Sequence, residues 1–370
     1  MKHLPEISFN LKWSKIQKLS PRSYSILSIS NQLDYQIIKK AFQFPFLGDF
    51  IKNKWNVSFT REIDISNQSH LFRPKPKTKS PFFRGGMIQQ YTSRWIPNKD
   101  WTIEHLAKEF CSGKIIGRLE DALRDALGDK IESKNRLKIL KKMLGRKITK
   151  NDIILDNDFY RLGFRNTTGL DNERGIVSQI IPKNVFCGNS CQLIIPTRIE
   201  IDDVYKLPKD LKTLFKPSYT LEELFFIQAM FNSFVVDFIL RKKVLENVNY
   251  FFVHDLPIPR LQKNDKYFKI LVNKVVTLIS QDEEFYGELP SLLQIEKVQI
   301  SEEERIQLRI EIESIIGKIY GLTHDEFSFI LKTFDKEKTE YDFLSLEKEN
   351  KTTIDFKEFT SKILSNFDKL

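Results

Sequence analysis

Arginine, amide and tyrosine side chains are concentrated in two short segments of this sequence. The first segment carries Arg84, Gln89, Gln90, Tyr91 and Arg94, and the second carries Arg165, Asn166, Asn172 and Arg174. Arginine forms paired hydrogen bonds with guanine, glutamine and asparagine form them with adenine, and all of these residue types also contact phosphates. These nine residues are therefore the predicted DNA contacts. The alternative is a structural role inside the protein: the second segment forms an internal salt bridge that orders a turn, and Arg165 pairs with an acid.

The first segment lies in a basic and aromatic stretch, residues 71–101. This stretch contains seven Lys and Arg residues and a single acid, Asp100. Four prolines and the Gly85-Gly86 pair favour loops and short strands over a helix. Such a segment suits a nucleic acid, because cations bind phosphates while rings and amides contact bases. The alternative is an exposed basic loop beside a small hydrophobic cluster.

Composition sets limits on the partner and the compartment. The net charge is +10 over 370 residues, which favours a polyanionic partner. An AT-biased genome, however, gives a similar lysine-rich composition to any protein that it encodes. Acids outnumber bases in residues 282–349, so we expect that end to face away from nucleic acid. There is no uncharged apolar run of membrane-spanning length and no apolar N-terminal signal. Three cysteines fit a reducing compartment, so we expect a cytoplasmic protein with no membrane partner.

The usual catalytic patterns do not occur in this sequence. There is no glycine-rich phosphate loop, no nucleophile elbow and no Asn-Pro-Pro-Tyr. Cys187 and Cys191 have no second Cys/His pair at a zinc spacing, so we expect buried structural thiols. Asp49, Glu62 and Asp64 lie near lysines without the pattern of a metal-dependent nuclease. We predict no catalytic residue, no metal ligand and no cofactor in this chain.

The elements that position these segments predict an α+β fold. Capping boxes at Thr220, Ser301 and Thr323 begin helices that end near residues 244, 320 and 334, with Gly321 as a stop signal. The hydrophobic pattern predicts further helices over 116–145 and 261–280, and strands over 55–65, 159–165, 175–181, 191–199 and 250–259. We predict a mixed α/β domain over 1–220, with a charged helical insertion near 103–150; the family resemblance given below implies that this is a target-recognition domain. Residues 221–370 form a mainly helical scaffold and partner-binding region.

Four stretches together resemble one family. They comprise residues 11–21 with 34–40, 84–95, 160–188 in part, and 231–259 in part with 320–327. The second, Arg84-Gly-Gly-Met-Ile-Gln-Gln-Tyr-Thr-Ser-Arg-Trp95, is similar to the signature Gly-Lys-Met-Ile-His-Gln-Phe-x-x-Arg-Phe/Trp. This signature occurs in the C-terminal target-recognition portion of adenine-specific DNA methyltransferases of type II (type IIG-like) restriction-modification systems. Gly86 stands in place of the usual lysine, and Gln89 stands where histidine is common.

This resemblance implies a role in recognition and not in methyl transfer. Family members carry the S-adenosylmethionine loop and the catalytic Asn-Pro-Pro-Tyr upstream of the part that this chain resembles. The resemblance therefore implies a sequence-recognition subunit, or a fragment of a disrupted gene. Its partners would be double-stranded DNA and a separately encoded methyltransferase subunit that binds S-adenosylmethionine. Two alternatives remain: a metal-dependent nuclease, or a non-catalytic remnant or scaffold.

Overall fold

A computed structural model describes residues 17–72, 79–97, 100–128, 132–167, 172–243 and 247–370. Helices α1 to α12 span Gln32–Ala41, Glu104–Ala126, Ser133–Leu144, Leu221–Phe231, Phe234–Arg241, Tyr250–His254, Phe268–Ile279, Glu283–Tyr286, Leu289–Leu292, Glu302–Ile319, His324–Lys332 and Phe356–Lys369. Strands β1 to β9 span Phe59–Thr60, Lys79–Phe83, Trp101–Ile103, Arg161–Arg165, Ser178–Ile181, Phe186–Cys187, Cys191–Ile194, Thr197–Ile199 and Phe215–Pro217. Small sheets precede a helical C-terminal region, so the predicted α+β class is confirmed.

Three small sheets carry the strands. The largest has the order β1-β7-β4-β5 and is antiparallel throughout. A second sheet has the order β3-β2-β6, with β2 antiparallel to β3 and parallel to β6. Strands β8 and β9 form the third. At the centre of the largest sheet, a Cβ on Gly163 would lie 2.8 Å from the Cys191 sulfur, so only glycine fits the packed face at that position.

The largest apolar core lies between that sheet and the C-terminal helices. Helix α4 is buried at every residue from Leu224 to Phe231, as its nearly continuous apolar circumference predicts. It packs against α7, while α10 packs against α12. This core takes residues from both sides of position 220, from Leu27 to Phe367. A core shared in this way does not mark a boundary between two domains, so the boundary predicted at residue 220 stays a prediction.

Local capping signals predicted three helix starts correctly. Thr220 with Glu223, Ser301 with Glu304, and Thr323 with Glu326 each form both hydrogen bonds of a capping box. Gly321 follows the second of these helices with φ +63°, a conformation that favours glycine.

Two of the predicted helices are interrupted. The helix predicted over 116–145 begins earlier, at Glu104, and is two helices, α2 and α3. Gly128, with φ +81°, follows the end of α2, and Ile131 lies outside the described residues. The helix predicted from Thr220 to about residue 244 is also two helices, α4 and α5, which meet at an angle of 60°. Ser233 caps α5 with its own hydroxyl, so the chain begins a new helix there.

Other predicted boundaries also moved. The helix predicted over 261–280 begins only at Phe268, and the strand predicted over 250–259 is instead the short helix α6. The strand predicted over 55–65 is reduced to β1 and an isolated bridge at Ile63. Pro196, which has no N–H to donate, separates β7 from β8 within the strand predicted over 191–199.

None of the described helices is by itself long and apolar enough to cross a membrane. Helices α4 and α5 are long and apolar enough only when the bent pair is taken together. The apolar residues of this pair are buried in the core.

Candidate nucleic-acid interface

The first predicted segment leaves strand β2 and makes a tight turn against the β6–β7 connection. The peptide N–H of Gly85 donates to the Ser190 hydroxyl at 2.9 Å. A Cβ on Gly85 would lie 2.4 Å from the Ser190 carbonyl oxygen, which is far inside contact distance. Glycine is therefore required for this close approach of two backbones. At the start of β2, the Lys79 ammonium lies 4.1 Å from the centre of the Trp101 ring on the neighbouring strand β3.

Two arginines of the first segment are exposed. The Arg84 guanidinium forms an ion pair with Asp100 at 2.8 Å, and 45% of its side chain is accessible. Arg94 donates to the carbonyl oxygen of Gln281 at 2.9 Å. Exposed ion pairs such as Arg84–Asp100 are weak, so the Arg84 guanidinium can exchange its present partner for a phosphate at small cost. Arg73, Lys75, Lys77 and Lys99, which belong to the same basic stretch, lie outside the described residues.

The three predicted contacts between these arginines, Gln89, Gln90 and Tyr91, are buried, so the structure does not support them as DNA contacts. Gln89 donates to the carbonyl oxygen of Asp342 at 2.8 Å, and Gln90 accepts a hydrogen bond from Arg309. The Tyr91 ring lies 4.8 Å from the same guanidinium and is 2% exposed. Burial raises the pKa of the Tyr91 hydroxyl far above its ordinary value. These side chains anchor the segment to the C-terminal region through Asp342 and Arg309.

Arg174 is also interior and not a surface contact. Its guanidinium donates to Asp237 at 2.8 Å and to the Asn232 carbonyl oxygen at 2.8 Å, and it lies 4.2 Å from the centre of the Phe234 ring. The alternative of an internal salt bridge is therefore correct for Arg174, but its partner is Asp237 and not the adjacent Glu173. The Glu173 carboxylate instead accepts the backbone N–H of Asp342 at 2.6 Å.

The remaining residues of the second segment lie at or near the surface. Arg165 is partly buried and donates to the Ile88 carbonyl oxygen at 2.6 Å; burial lowers the pKa of its guanidinium. The Asn166 side chain accepts from Gln192. Asn172 is exposed, and its carbonyl oxygen accepts from Arg241 at 2.9 Å.

The two predicted segments contact each other. Besides the hydrogen bond between Arg165 and Ile88, they share a cavity of about 120 Å³. The cavity is lined by Gln89, Arg165, Asn172, Glu173, Arg174, Val177, Lys338, Asp342 and Phe343.

The carboxylates considered for a nuclease all have structural partners. Glu62 is buried between Arg161, at 2.7 Å, and the Cys187 peptide N–H, also at 2.7 Å. Asp49 pairs with Arg22 at 2.8 Å, and Asp64 accepts hydrogen bonds within its own turn. Within the ranges that the structure describes, no group of three or more His, Cys, Asp and Glu residues could hold a metal ion. Cys187 and Cys191 are free, buried thiols, as predicted.

The sequence reasoning missed two sets of cations. Arg305 and Arg309 on α10 are buried and hold the first segment through the Tyr91 carbonyl oxygen and the Gln90 side chain. The local pattern of that acidic helix gave no sign of this role, because their partners are more than 200 residues away. The second set is the exposed lysines of α3 and the loop after it, where a run of bases without acids was visible in the sequence.

No protein-family model matches this chain, and a search of curated proteins found no relative.

Proposed function

We propose that this protein is the DNA sequence-recognition subunit of an adenine-specific methyltransferase or restriction-modification enzyme. In this proposal, a separately encoded methyltransferase subunit binds S-adenosylmethionine and transfers the methyl group. Sequence recognition is a separate task from methyl transfer, because flipping an adenine out of the helix reads little sequence, whereas selectivity needs side chains at groove edges several base pairs away.

One observation carries the proposal. The two segments chosen for their base-reading residue types are about 75 residues apart in the chain, yet the Arg165 guanidinium meets the Ile88 carbonyl oxygen at 2.6 Å. This hydrogen bond makes the two segments neighbours in the fold, as a shared recognition face requires. Its accessible members are Arg84, Arg94, Arg165, Asn166 and Asn172. The other four predicted residues, Gln89, Gln90, Tyr91 and Arg174, are buried.

Selection from a library of duplexes with a randomised central region tests the proposal. The purified chain, with and without the separately encoded methyltransferase, should enrich a specific sequence. Its affinity should then fall steeply with salt, with a slope of about 0.9 per phosphate contacted. No enrichment and no salt-dependent binding, even with the methyltransferase present, would refute the recognition role. Cleavage of plasmid by the pure chain with magnesium would instead support the nuclease alternative.

Arg84→Ala is the informative variant, and the chain supplies a matched control. Loss of a paired contact to guanine should weaken binding of the selected duplex by about 1–3 kcal/mol and relax selectivity at that position. Arg198 is exposed to a similar degree, 43% against 45%, and is likewise paired with an acid at 2.7 Å. Because Arg198 lies on β8, outside both segments, Arg198→Ala should leave affinity and selectivity unchanged. Equal effects of the two variants would argue against a specific role for Arg84.

A further inference from the structure

Most of the net charge of this chain comes from one short segment. Residues 133–150 contain eight Lys and Arg residues and no acid, against a net charge of +10 for all 370 residues. The segment covers α3 and the loop that follows it. Like charges at this density produce a positive potential that reaches about a Debye length into solvent.

Five lysines of this segment form what we call the α3 basic surface: Lys138, Lys141, Lys142, Lys147 and Lys150. All five are exposed, and in the part of the chain that the structure describes none of them forms an ion pair with Asp or Glu. Lys141 and Lys142 follow Lys138 by three and four residues, so each lies beside Lys138 on the helix surface, about 5–6 Å from it.

The opposite face of α3 is already occupied. Ile139, Leu140, Met143 and Leu144 pack in an apolar cluster with Leu119 of α2. A helix that binds a membrane surface inserts its apolar face between the lipids, and here that face is covered by the protein itself. The exposed lysines are therefore suited to a soluble polyanion with closely spaced charges, which is what a nucleic-acid backbone provides.

The loop after α3 is held in place by an ion pair. Gly145 ends the helix with φ +63°, and the Arg146 guanidinium then forms two hydrogen bonds with Asp152, at 2.7 and 2.6 Å. This pair closes the loop and fixes Lys147 and Lys150 beside the helix. Cations held in position by the fold lose less conformational entropy when they bind a partner.

We propose that the α3 basic surface is a second DNA-binding site that contacts phosphates of duplex DNA beside the recognised sequence. This inference rests on the proposed function and adds a division of labour: the two predicted segments supply selectivity, and the α3 basic surface supplies affinity. Helix α2 connects β3 to the α3 basic surface. Glu104 begins α2 directly after β3, and Leu119, 15 residues later, packs with α3. That separation is about 20 Å, or roughly six base pairs of duplex.

The test is the triple variant Lys138→Gln, Lys141→Gln and Lys142→Gln in the full chain, measured by fluorescence anisotropy on defined duplexes. Glutamine keeps helix propensity, so α3 should remain folded. Each lost phosphate contact should reduce the slope of log affinity against log salt by about 0.9 and weaken binding by up to about eightfold at 0.1 M salt. The preference for the selected sequence over a scrambled one should not change. Lengthening the duplex by six base pairs beyond the recognised site should strengthen wild-type binding only.

The control carries the same change of charge elsewhere. Lys357, Lys362 and Lys369 are exposed on α12, and their triple substitution by glutamine should leave the salt slope unchanged. An unchanged slope in the α3 variant, with wild-type selectivity intact, overturns the second site and leaves the proposed function standing. A reduced slope in a chain without sequence preference supports the α3 surface and refutes the proposed function. Tighter lysine-dependent binding to duplex RNA, or to vesicles containing phosphatidylserine, would overturn the assignment to DNA.

Discussion

Arg174→Ala separates the structural role of this arginine from the DNA-contact role that its position in the sequence predicts. The Arg174 side chain is 1% exposed and its partner Asp237 is fully buried. Removing one member of a buried ion pair leaves an uncompensated charge, which costs about 3–5 kcal/mol. Two groups offset part of that cost at Asp237: the Gly175 N–H at 2.9 Å and the Arg241 guanidinium at 3.2 Å. We therefore expect the lower end, about 3 kcal/mol.

This loss is large enough to measure in two ways. For 370 residues, an unfolding entropy of about 2.1 cal/mol/K per residue converts 3 kcal/mol into a decrease in Tm of about 4 °C. Urea unfolding should show a lower midpoint with an unchanged slope. Arg84→Ala, which removes an exposed pair, should change stability by less than about 1 kcal/mol.

Removal of both charges provides the internal control for Arg174. The double variant Arg174→Met with Asp237→Asn should recover part of the lost stability, because it no longer leaves a buried carboxylate unpaired. The reasoning is refuted if Arg174→Ala unfolds like the wild type yet binds DNA more weakly. That result would mean that Arg174 reaches the DNA and that its burial does not persist in solution.

Two further predictions concern the groups that support the recognition segments. Burial raises the pKa of Glu313 from 4.5 to about 7, so the folded state keeps a proton that the unfolded state releases. The free energy of unfolding of the wild type should therefore decrease by about 3 kcal/mol as pH rises from about 4.5 to 7. Glu313→Gln should remove that decrease. Parallel pH profiles of stability for the two proteins would show that Glu313 is not the group responsible. Gly85→Ala should destabilise the protein by about 1–3 kcal/mol, because its Cβ would meet the Ser190 carbonyl oxygen at 2.4 Å. Gly86→Ala has open space at the same turn and should be nearly neutral in the same urea titration, so equal losses would show that the close approach is not the cause.

The sequence located the helix starts that depend on neighbouring residues. A capping box uses side chains only three residues apart, so Thr220, Ser301 and Thr323 could be identified without any knowledge of the tertiary fold. The buried helix α4 was predictable for a related reason, since apolar residues around its whole circumference leave no face for water. The composition of the segment around Gly85 likewise indicated turns and short strands correctly.

The interruptions of helices were harder to predict from local patterns. Asn232 lies within an apolar run that continues the helical pattern, but its side chain accepts the N–H of Ser178 at 2.9 Å. That partner lies 54 residues earlier in the chain, so the bond exists only once the sheet and the helix have come together. The resulting bend between α4 and α5 therefore follows from tertiary contacts as well as from the local cap at Ser233.

What the sequence determined by itself is the set of residue types and the local elements that carry them; the tertiary structure decided which of those side chains reach solvent. Gln89 and Arg84 are equally polar in the sequence, yet one is 1% exposed and the other is on the surface. A polar side chain can be buried wherever distant partners satisfy its hydrogen bonds, and Gln89 finds one in the Asp342 carbonyl oxygen, 253 residues away. Spacing along the chain carries no record of such a partner, because folding alone brings the two residues together.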